Sequence, residues 1–422
     1  MALIVQKYGG SSLGTLDKIR SVAKRVMETA SRKNRVVVVL SAMQGETDRL
    51  IGRALELTDL PDLREYDSMI STGEQVSVSL LAIAINAMGG KARSLLAFQV
   101  PIYSDGAFKD ARISRIETGK IRNLLSKGYI AIVAGFQGLD PEGNINTLGR
   151  GGSDTTAVAL AAAIKADECE IYTDVDGIYT ADPNVCPQAR KMEKITHEEM
   201  LELASLGAKV LQIRSVEMAM KYNVPLHVRS SYERTEGTRV IKGDKNMETI
   251  VVSGVACDKN GAKVTLVRVP DRPGVAAALF NPISKANIVV DIIIQNVSEK
   301  GYTDLTFTVK RDDLARTKRL AEAAAKRLGA SQVITDDRIA KVSMVGMGMK
   351  EHAGIASKMF QTLAKAGINI QMISTSEIKV SCVIDEKYVE LAVRELHQAF
   401  KLGKKPSTGK KPRGKPALKK KK

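Results

Sequence analysis

Cysteine is scarce in this 422-residue chain. Cys169, Cys186, Cys257 and Cys382 are far apart, with no CxxC pair and no nearby histidine cluster. That distribution speaks against a zinc site or a disulfide framework, and for reduced thiols in a cytoplasm. No apolar run approaches the ~18–20 residues needed to span a bilayer, and Met1–Lys7 is too short for a signal-peptide core. A cytoplasmic protein with no membrane partner is therefore expected. The chain also lacks a GxxxxGK[ST] phosphate loop, and Gly149-Arg150-Gly151-Gly152 is not a GxGxxG. Those absences exclude a P-loop enzyme and a recognisable dinucleotide binder.

Acid is missing from one place in particular. Between Lys401 and Lys422 there are ten Lys, one Arg and no Asp or Glu, so this tail holds +11 of the net charge of +17. Residues 1–400 keep only +6. Almost without apolar side chains, the tail cannot repay its ordering entropy and is expected to be disordered. A solvated polycation without a specific nucleic-acid partner is the expectation.

What is present is a globular composition, 44% hydrophobic and 26% charged, long enough for two or three domains. The chain is organised around Thr147-Leu148-Gly149-Arg150-Gly151-Gly152-Ser153-Asp154, which runs into the Ala-rich segment Thr155–Ile164. That segment reads as a helix, with Ser153 and Asp154 where an N-cap should be. Glycines before it permit a sharp turn and a close ligand approach, and the helix N-terminus attracts anions. Arg150 adds a fork suited to a carboxylate or phosphate.

Ala2–Tyr8, Val36–Leu40, Tyr129–Ala134 and Cys169–Tyr172 are apolar runs that read as buried parallel strands. Helices are expected over Leu16–Arg32, with Ile19, Val22, Ala23 and Val26 on one face, and around Ser71–Met88. Gly135–Gly152 reads as a long loop. The pattern is α/β, and ligands of such sheets lie beyond the carboxyl ends of the strands. Lys7, Gly9, Gly10, Ser41, Thr47, Gly135, Thr173 and Asp174 all belong to that edge.

After about Lys245 the chain repeats itself. Gly274, Phe280, Lys285 and Ala286 recur at a constant offset as Gly354, Phe360, Lys365 and Ala366. Each copy reads βαββα, whose usual completion is a fourth strand. Gln332–Asp336 can complete the first copy, whereas only Lys and Pro follow the second. The spare strand Glu248–Val255 is predicted to pair into the second copy, making the first an insertion within it.

Lys7-Tyr8-Gly9-Gly10-Ser11-Ser12, Ser41-Ala42-Met43, Ser71-Thr72-Gly73-Glu74, Gly149–Asp154, Tyr172–Pro183 and Gly207–Leu211 together resemble the aspartate kinases. The repeat resembles their paired ACT domains, down to Gln295–Ser298 and Ile373–Glu377. The resemblance spans residues 1–402. It implies an αβα sandwich with a mainly parallel open sheet, followed by two ferredoxin-like βαββαβ domains. The implied limits are 1–245 for the catalytic domain, 263–337 for the first ACT domain, and 248–262 plus 338–400 for the second.

The resemblance further implies transfer of the γ-phosphoryl of ATP, with Mg2+, to L-aspartate, in the synthesis of lysine, threonine and methionine. The acceptor carboxylate is ionised at neutral pH and needs no general base. None of His197, His227, His352 and His397 falls in a motif. Lys7 is expected to stabilise the moving phosphoryl group, with Asp154 orienting Lys7 or the substrate, or serving as a plain N-cap. Thr47, Glu74, Arg150, Gly151, Gly152 and Ser153 would hold aspartate, Arg150 on its α-carboxylate and Glu74 on its ammonium. Lys7, Tyr8, Gly9, Gly10, Ser41, Thr173, Asp174, Tyr179, Asp182, Lys209 and Val210 would line the nucleotide site. No protein ligand of the metal is assigned. Lysine, threonine or both would act as inhibitors near Asp271, Gly274, Asp291 and Gln295, and near Asn369, Thr375, Ser376 and Glu377. A homodimer or larger assembly is expected. Another amino-acid-kinase relative and a non-catalytic ACT amino-acid sensor stay open as alternatives.

Overall fold

The computed structural model describes residues 1–207, 210–243, 251–296, 301–349, 352 and 354–404. The chain divides into two compact units, one of Met1–Tyr179 with Lys191–Gly243, the other of Thr180–Arg190 with the chain from Asp244 onward.

The first unit is built on an eight-stranded sheet. Across it run Lys194–Thr196, Thr238–Ile241, Leu226–Ser230, Glu168–Thr173, Leu3–Tyr8, Arg35–Leu40, Ile130–Ala134 and Ala92–Leu95. All neighbours are parallel except Leu226–Ser230 with Thr238–Ile241. The all-apolar runs sit at its centre because both faces are covered: Val36 through Leu40 are buried throughout. Each such side chain contributes roughly 1.5–3 kcal/mol relative to exposure.

Helix Leu16–Ser31 starts where Thr15 accepts from the Lys18 N–H at 3.3 Å, and buries the expected Ile19, Val22, Ala23 and Val26. It packs on helix Thr72–Ala87, whose buried side includes Val78, Leu81 and Ile85. The combined stretch Leu63–Ala87 is, against expectation, long and apolar enough by length and composition to cross a membrane. It is nonetheless a core element of this unit, half buried and carrying the buried carboxylates Asp67 and Glu74. The expected loop Gly135–Gly152 contains a hairpin, Gln137–Leu139 with Ile145–Thr147, inside a separate four-stranded sheet.

The second unit has one antiparallel six-stranded sheet rather than two separate ones. Its order is Val290–Gln295, Tyr302–Lys310, Gly254–Pro270, Gln332–Val345, Lys379–Asp385, Met372–Thr375. The expected strand Lys263–Val269 and the last two residues of the expected Glu248–Val255 belong to one strand, Gly254–Pro270, bulged between Asp258 and Lys263, while Val251–Ser253 lie before it and outside any strand. Gln332–Asp336 and the expected Lys341–Gly346 likewise fuse into Gln332–Val345, with Gly346 just beyond its end. The predicted pairing is present: Gly254 through Asp258 lie opposite Val345 through Lys341. Each half of the sheet has its own buried cluster, Leu266, Leu279 and Phe307 in one, Val342, Met359 and Leu396 in the other. Glu248–Ile250 and most of the tail, 405–422, lie outside the described residues.

Candidate active site

At the carboxyl edge of the first unit's sheet, strand ends and the glycine loop enclose a cavity of about 390 Å³. Lys7, next to last in Leu3–Tyr8, is held there by Asp154, Nζ to Oδ1 2.5 Å, with both side chains nearly buried. A Cβ at Gly9 would come within 3.4 Å of that ammonium, so the bare glycine leaves room for it.

Asp154 corrects one expectation. The N-cap of helix Gly152–Ile164 is Gly151, at φ +72°, and Ser153 and Asp154 fall in the first turn. A left-handed residue turns the chain earlier than the side-chain pattern indicated. The cap therefore has no side-chain acceptor. Among the described residues, the N–H groups of Ser153 and Asp154 have no backbone acceptor, and both residues line the cavity. Open amides at a helix N-terminus beside an ammonium suit an anion. Gly151 is also covered by Gln212, whose Cγ would sit 1.9 Å from an added Cβ.

Glu74 is the buried carboxylate of the cavity. Its Oε1 accepts from the Ala42 N–H at 2.9 Å, and Oε2 has no hydrogen-bond partner among the described residues. Burial, only partly offset by the Ala42 N–H, pushes its pKa up to about 8. Arg150 stands exposed on the cavity lining, and Thr47 and Ser41 are half-buried there. The Ser41 N–H donates to the Tyr8 carbonyl at 3.2 Å, fixing one strand end against the next.

The cavity thus gathers every residue expected to hold aspartate, together with Lys7, Gly10 and Ser41. The rest of the expected nucleotide set does not line it. Tyr8 is buried, its ring stacked on Tyr172 at 4.6 Å, so no side-chain contact with a nucleotide is available from it. Thr173 ends strand Glu168–Thr173, and its hydroxyl donates to Oδ1 of the following Asp174 at 2.9 Å. The Tyr179 hydroxyl donates to Asp176 Oδ1 at 2.8 Å, with Lys191 on the other oxygen at 2.9 Å. Asp182 belongs to the second unit, where it accepts from the Asn184 N–H at 2.8 Å and closes its own turn. Val210 lies away from the cavity lining, and Lys209 is outside the described residues.

The cavity also has walls that the sequence did not mark as binding residues: Gln44, Gly45, Asp48 and Phe136. Gln44–Asp48 follow directly from Ser41-Ala42-Met43, so extending that loop would have found them. Phe136 sits at φ +68°, an unusual conformation for its type that no sequence signal announces.

In the second unit, Gly274 caps helix Val275–Lys285 at φ +93°, and Asp271, Gln295, Asn369, Thr375, Ser376 and Glu377 are exposed. Gln295 and Thr375 end the two edge strands of the sheet. Asp291 is paired with Lys341. One group in the first unit, Glu168, Glu170 and His227, has metal-ligand spacing. Arg239 and Arg229 already neutralise its two carboxylates, so the group is a balanced ionic network.

Residues 2–230 match the amino acid kinase family, and residues 263–328 and 342–400 each match an ACT domain. The aspartate kinase of Pseudomonas putida is 56% identical over 403 residues, covering 95% of this chain and 98% of that protein. The chain belongs to the aspartate kinase family. Among solved structures, Escherichia coli aspartokinase III with aspartate and ADP is 26% identical, with a TM-score of 0.77 over 94% of this chain and 99% of that one. The T-state form of the same enzyme, with lysine and aspartate, gives 0.75 at the same identity and coverage. The aspartate kinase assignment makes the chain an ATP-using phosphotransferase whose acceptor is the side-chain carboxylate of L-aspartate.

Proposed function

We propose that the cavity at the sheet edge is the meeting point of the aspartate carboxylate and the γ-phosphoryl group of ATP. The observation that carries this is Glu74: a buried carboxylate with one unpartnered oxygen, in a cavity that also holds Lys7 and Arg150. Such a group is costly unless a cation completes it, and the ammonium of aspartate is that cation. Arg150 forks onto the α-carboxylate, while Thr47 and the Gly151–Ser153 backbone frame the side chain. Lys7, held by Asp154, offsets charge on the transferring phosphoryl group, with the amide of Gly10, whereas the Gly9 N–H donates to the Tyr172 carbonyl at 3.4 Å. No group has to remove a proton from the acceptor.

Ser41, Thr173, Asp174, Tyr179, Lys209 and Val210, with the Tyr8 backbone, are assigned to the nucleotide; Asp182, which belongs to the second unit, is withdrawn from that set. Magnesium enters with ATP. The ion would be held chiefly by phosphate oxygens and water, with no protein ligand assigned. It supplies charge neutralisation there.

The domain limits follow the same reading: 1–245 catalytic, 263–337 an inserted ACT domain, and 248–262 with 338–400 the other; of the tail expected to be disordered from Lys401, Lys401–Lys404 instead continue the second unit, with Leu402 buried in its core. Lysine, threonine or both bind the ACT pair and shift a two-state equilibrium of the kinase. The working form is a cytoplasmic homodimer or larger assembly. Trapping the acyl phosphate with hydroxylamine tests the core of this reading. Product is expected with aspartate, ATP and magnesium, and is abolished by chelation. Equal product from glutamate, or none from aspartate, overturns it.

A further inference from the structure

Two residues outside the cavity grip the chain just before the glycine loop. Asp67, in helix Leu63–Ile70, is fully buried. Its Oδ2 accepts from the Thr147 N–H at 2.7 Å and the Lys109 N–H at 2.8 Å, and its Oδ1 from the Thr147 hydroxyl at 3.0 Å. From the other side comes Arg214, in helix Ile213–Tyr222. Its Nη1 donates to the Leu148 carbonyl at 2.5 Å and to Asp110 Oδ1 at 2.8 Å, and its Nη2 to the Ala111 carbonyl at 2.8 Å.

Both grips therefore tie the same two segments, Lys109–Ala111 and Thr147–Leu148, which also bond directly, Ala111 N–H to Thr147 carbonyl at 2.9 Å. The next residue is Gly149. A Cβ there would lie 2.7 Å from Asp110 Oδ1 and 3.0 Å from the Lys109 carbonyl, so the 109–110 segment forms its backing. Lys109 itself holds φ +68°. Phe136, also at φ +68°, accepts from the Leu148 N–H at 2.9 Å. Left-handed non-glycine residues persist only where surrounding bonds over-determine them, and they gather at functional sites.

We infer that Asp67 and Arg214 are positioning residues of the kinase, which fix the register of Gly149–Gly152 and so aim Arg150 and the first-turn amides at aspartate. Neither touches the cavity, so each acts through the loop. A misplacement of about 1 Å in such a loop costs on the order of a hundredfold, whereas bonds that only supported the fold would have no effect on one substrate alone. The inference rests on the proposed role of the loop in binding aspartate.

The test measures both KM values, kcat and the melting midpoint for Asp67→Asn, Thr147→Val and Arg214→Lys, with Arg150→Ala as a control for the underlying reading. Asn can keep the two backbone bonds only by turning its NH2 toward the Thr147 hydroxyl, and it removes the charge that strengthens all three, Val deletes only the hydroxyl bond, and Lys cannot fork. The expected result is a rise in the aspartate KM of about tenfold in Asp67→Asn and Arg214→Lys, and smaller in Thr147→Val, with the ATP KM within about twofold. Should Asp67→Asn fail to fold, the other two variants carry the test. Folded variants with lowered midpoints but unchanged KM values overturn the inference, as do equal rises in both KM values. If Arg150→Ala also leaves the aspartate KM alone, the loop's assignment to aspartate falls. If Arg150→Ala raises it and the positioning variants do not, only this inference falls.

Discussion

The Lys7 ammonium and the Asp154 carboxylate meet at 2.5 Å, one from the first strand of the chain and the other from the first turn of helix Gly152–Ile164. An ion pair this shielded from solvent fixes where the ammonium sits before any phosphate arrives, so little reorganisation is left for the reaction. It also joins elements far apart in sequence at the point where charge must be offset.

Lys7→Ala is expected to cost at least ~3 kcal/mol of transition-state stabilisation, which is on the order of a 150-fold loss of kcat. Asp154→Asn keeps an acceptor for the ammonium and should lose less. Steady-state ADP release measures both. Wild-type turnover in Lys7→Ala would remove Lys7 from the chemistry.

Glu74 makes the site sensitive to pH. Burial raises its pKa from 4.5 to about 8, so the folded state binds this proton more tightly than the unfolded chain does. Stability from this group is full below about 4.5 and is lost as pH rises through about 8. Aspartate reverses that penalty, because its ammonium pairs with the ionised form. The aspartate KM should therefore fall as pH rises from 6 to 8.5, and the stabilisation by aspartate should grow over the same range. In Glu74→Gln the free enzyme should lose this slope and the aspartate KM should rise strongly. A flat KM profile in the wild-type enzyme would contradict the ammonium assignment.

Arg150 separates the two substrates. Removing a bidentate partner of a carboxylate costs roughly 1.5–3 kcal/mol, so Arg150→Ala should raise the aspartate KM far more than that for ATP. Lys, a point charge without the fork, should recover only part of the loss. Equal rises for both substrates would count against a contact with the α-carboxylate.

The elements that could be read in advance share a physical cause. Val36–Leu40 or Ile130–Ala134 can only be buried, and Ile19, Val22, Ala23 and Val26 can only share a face if the segment is helical. That the residues expected to hold aspartate would line one cavity was legible too, because they sit in short motifs at strand ends. Backbone conformation was not legible in the same way. Ser153 and Asp154 have the chemistry of a cap, yet Gly151 takes that place. Asp258-Lys259-Asn260-Gly261 has the composition of a turn, yet it forms the bulge that lets one strand serve both repeats. Asp182 follows the nucleotide motif in sequence, but the chain from Thr180 to Arg190 joins the second unit, where Cys186 is buried beside Leu396 and Leu402. Asp67 and Arg214 act through backbone groups several segments away, and no spacing rule connects them.

The ACT pair offers a test that leaves the cavity intact. Asp291 and Lys341 form an ion pair whose acid is half exposed and whose ammonium is largely buried, so a variant that removes the charge must leave an acceptor for Lys341. The edge strand that holds Asp291 ends at Gln295, where an amino-acid effector is expected. Asp291→Asn should leave the uninhibited rate nearly unchanged and the melting midpoint only slightly lowered. The concentration of lysine plus threonine needed for half-inhibition should rise, because a carboxylate able to meet the effector's ammonium is gone. Initial rates over an effector titration decide it. A wild-type enzyme indifferent to both amino acids would end the feedback reading, whereas inhibition equal in wild type and variant would move the effector site away from Asp291.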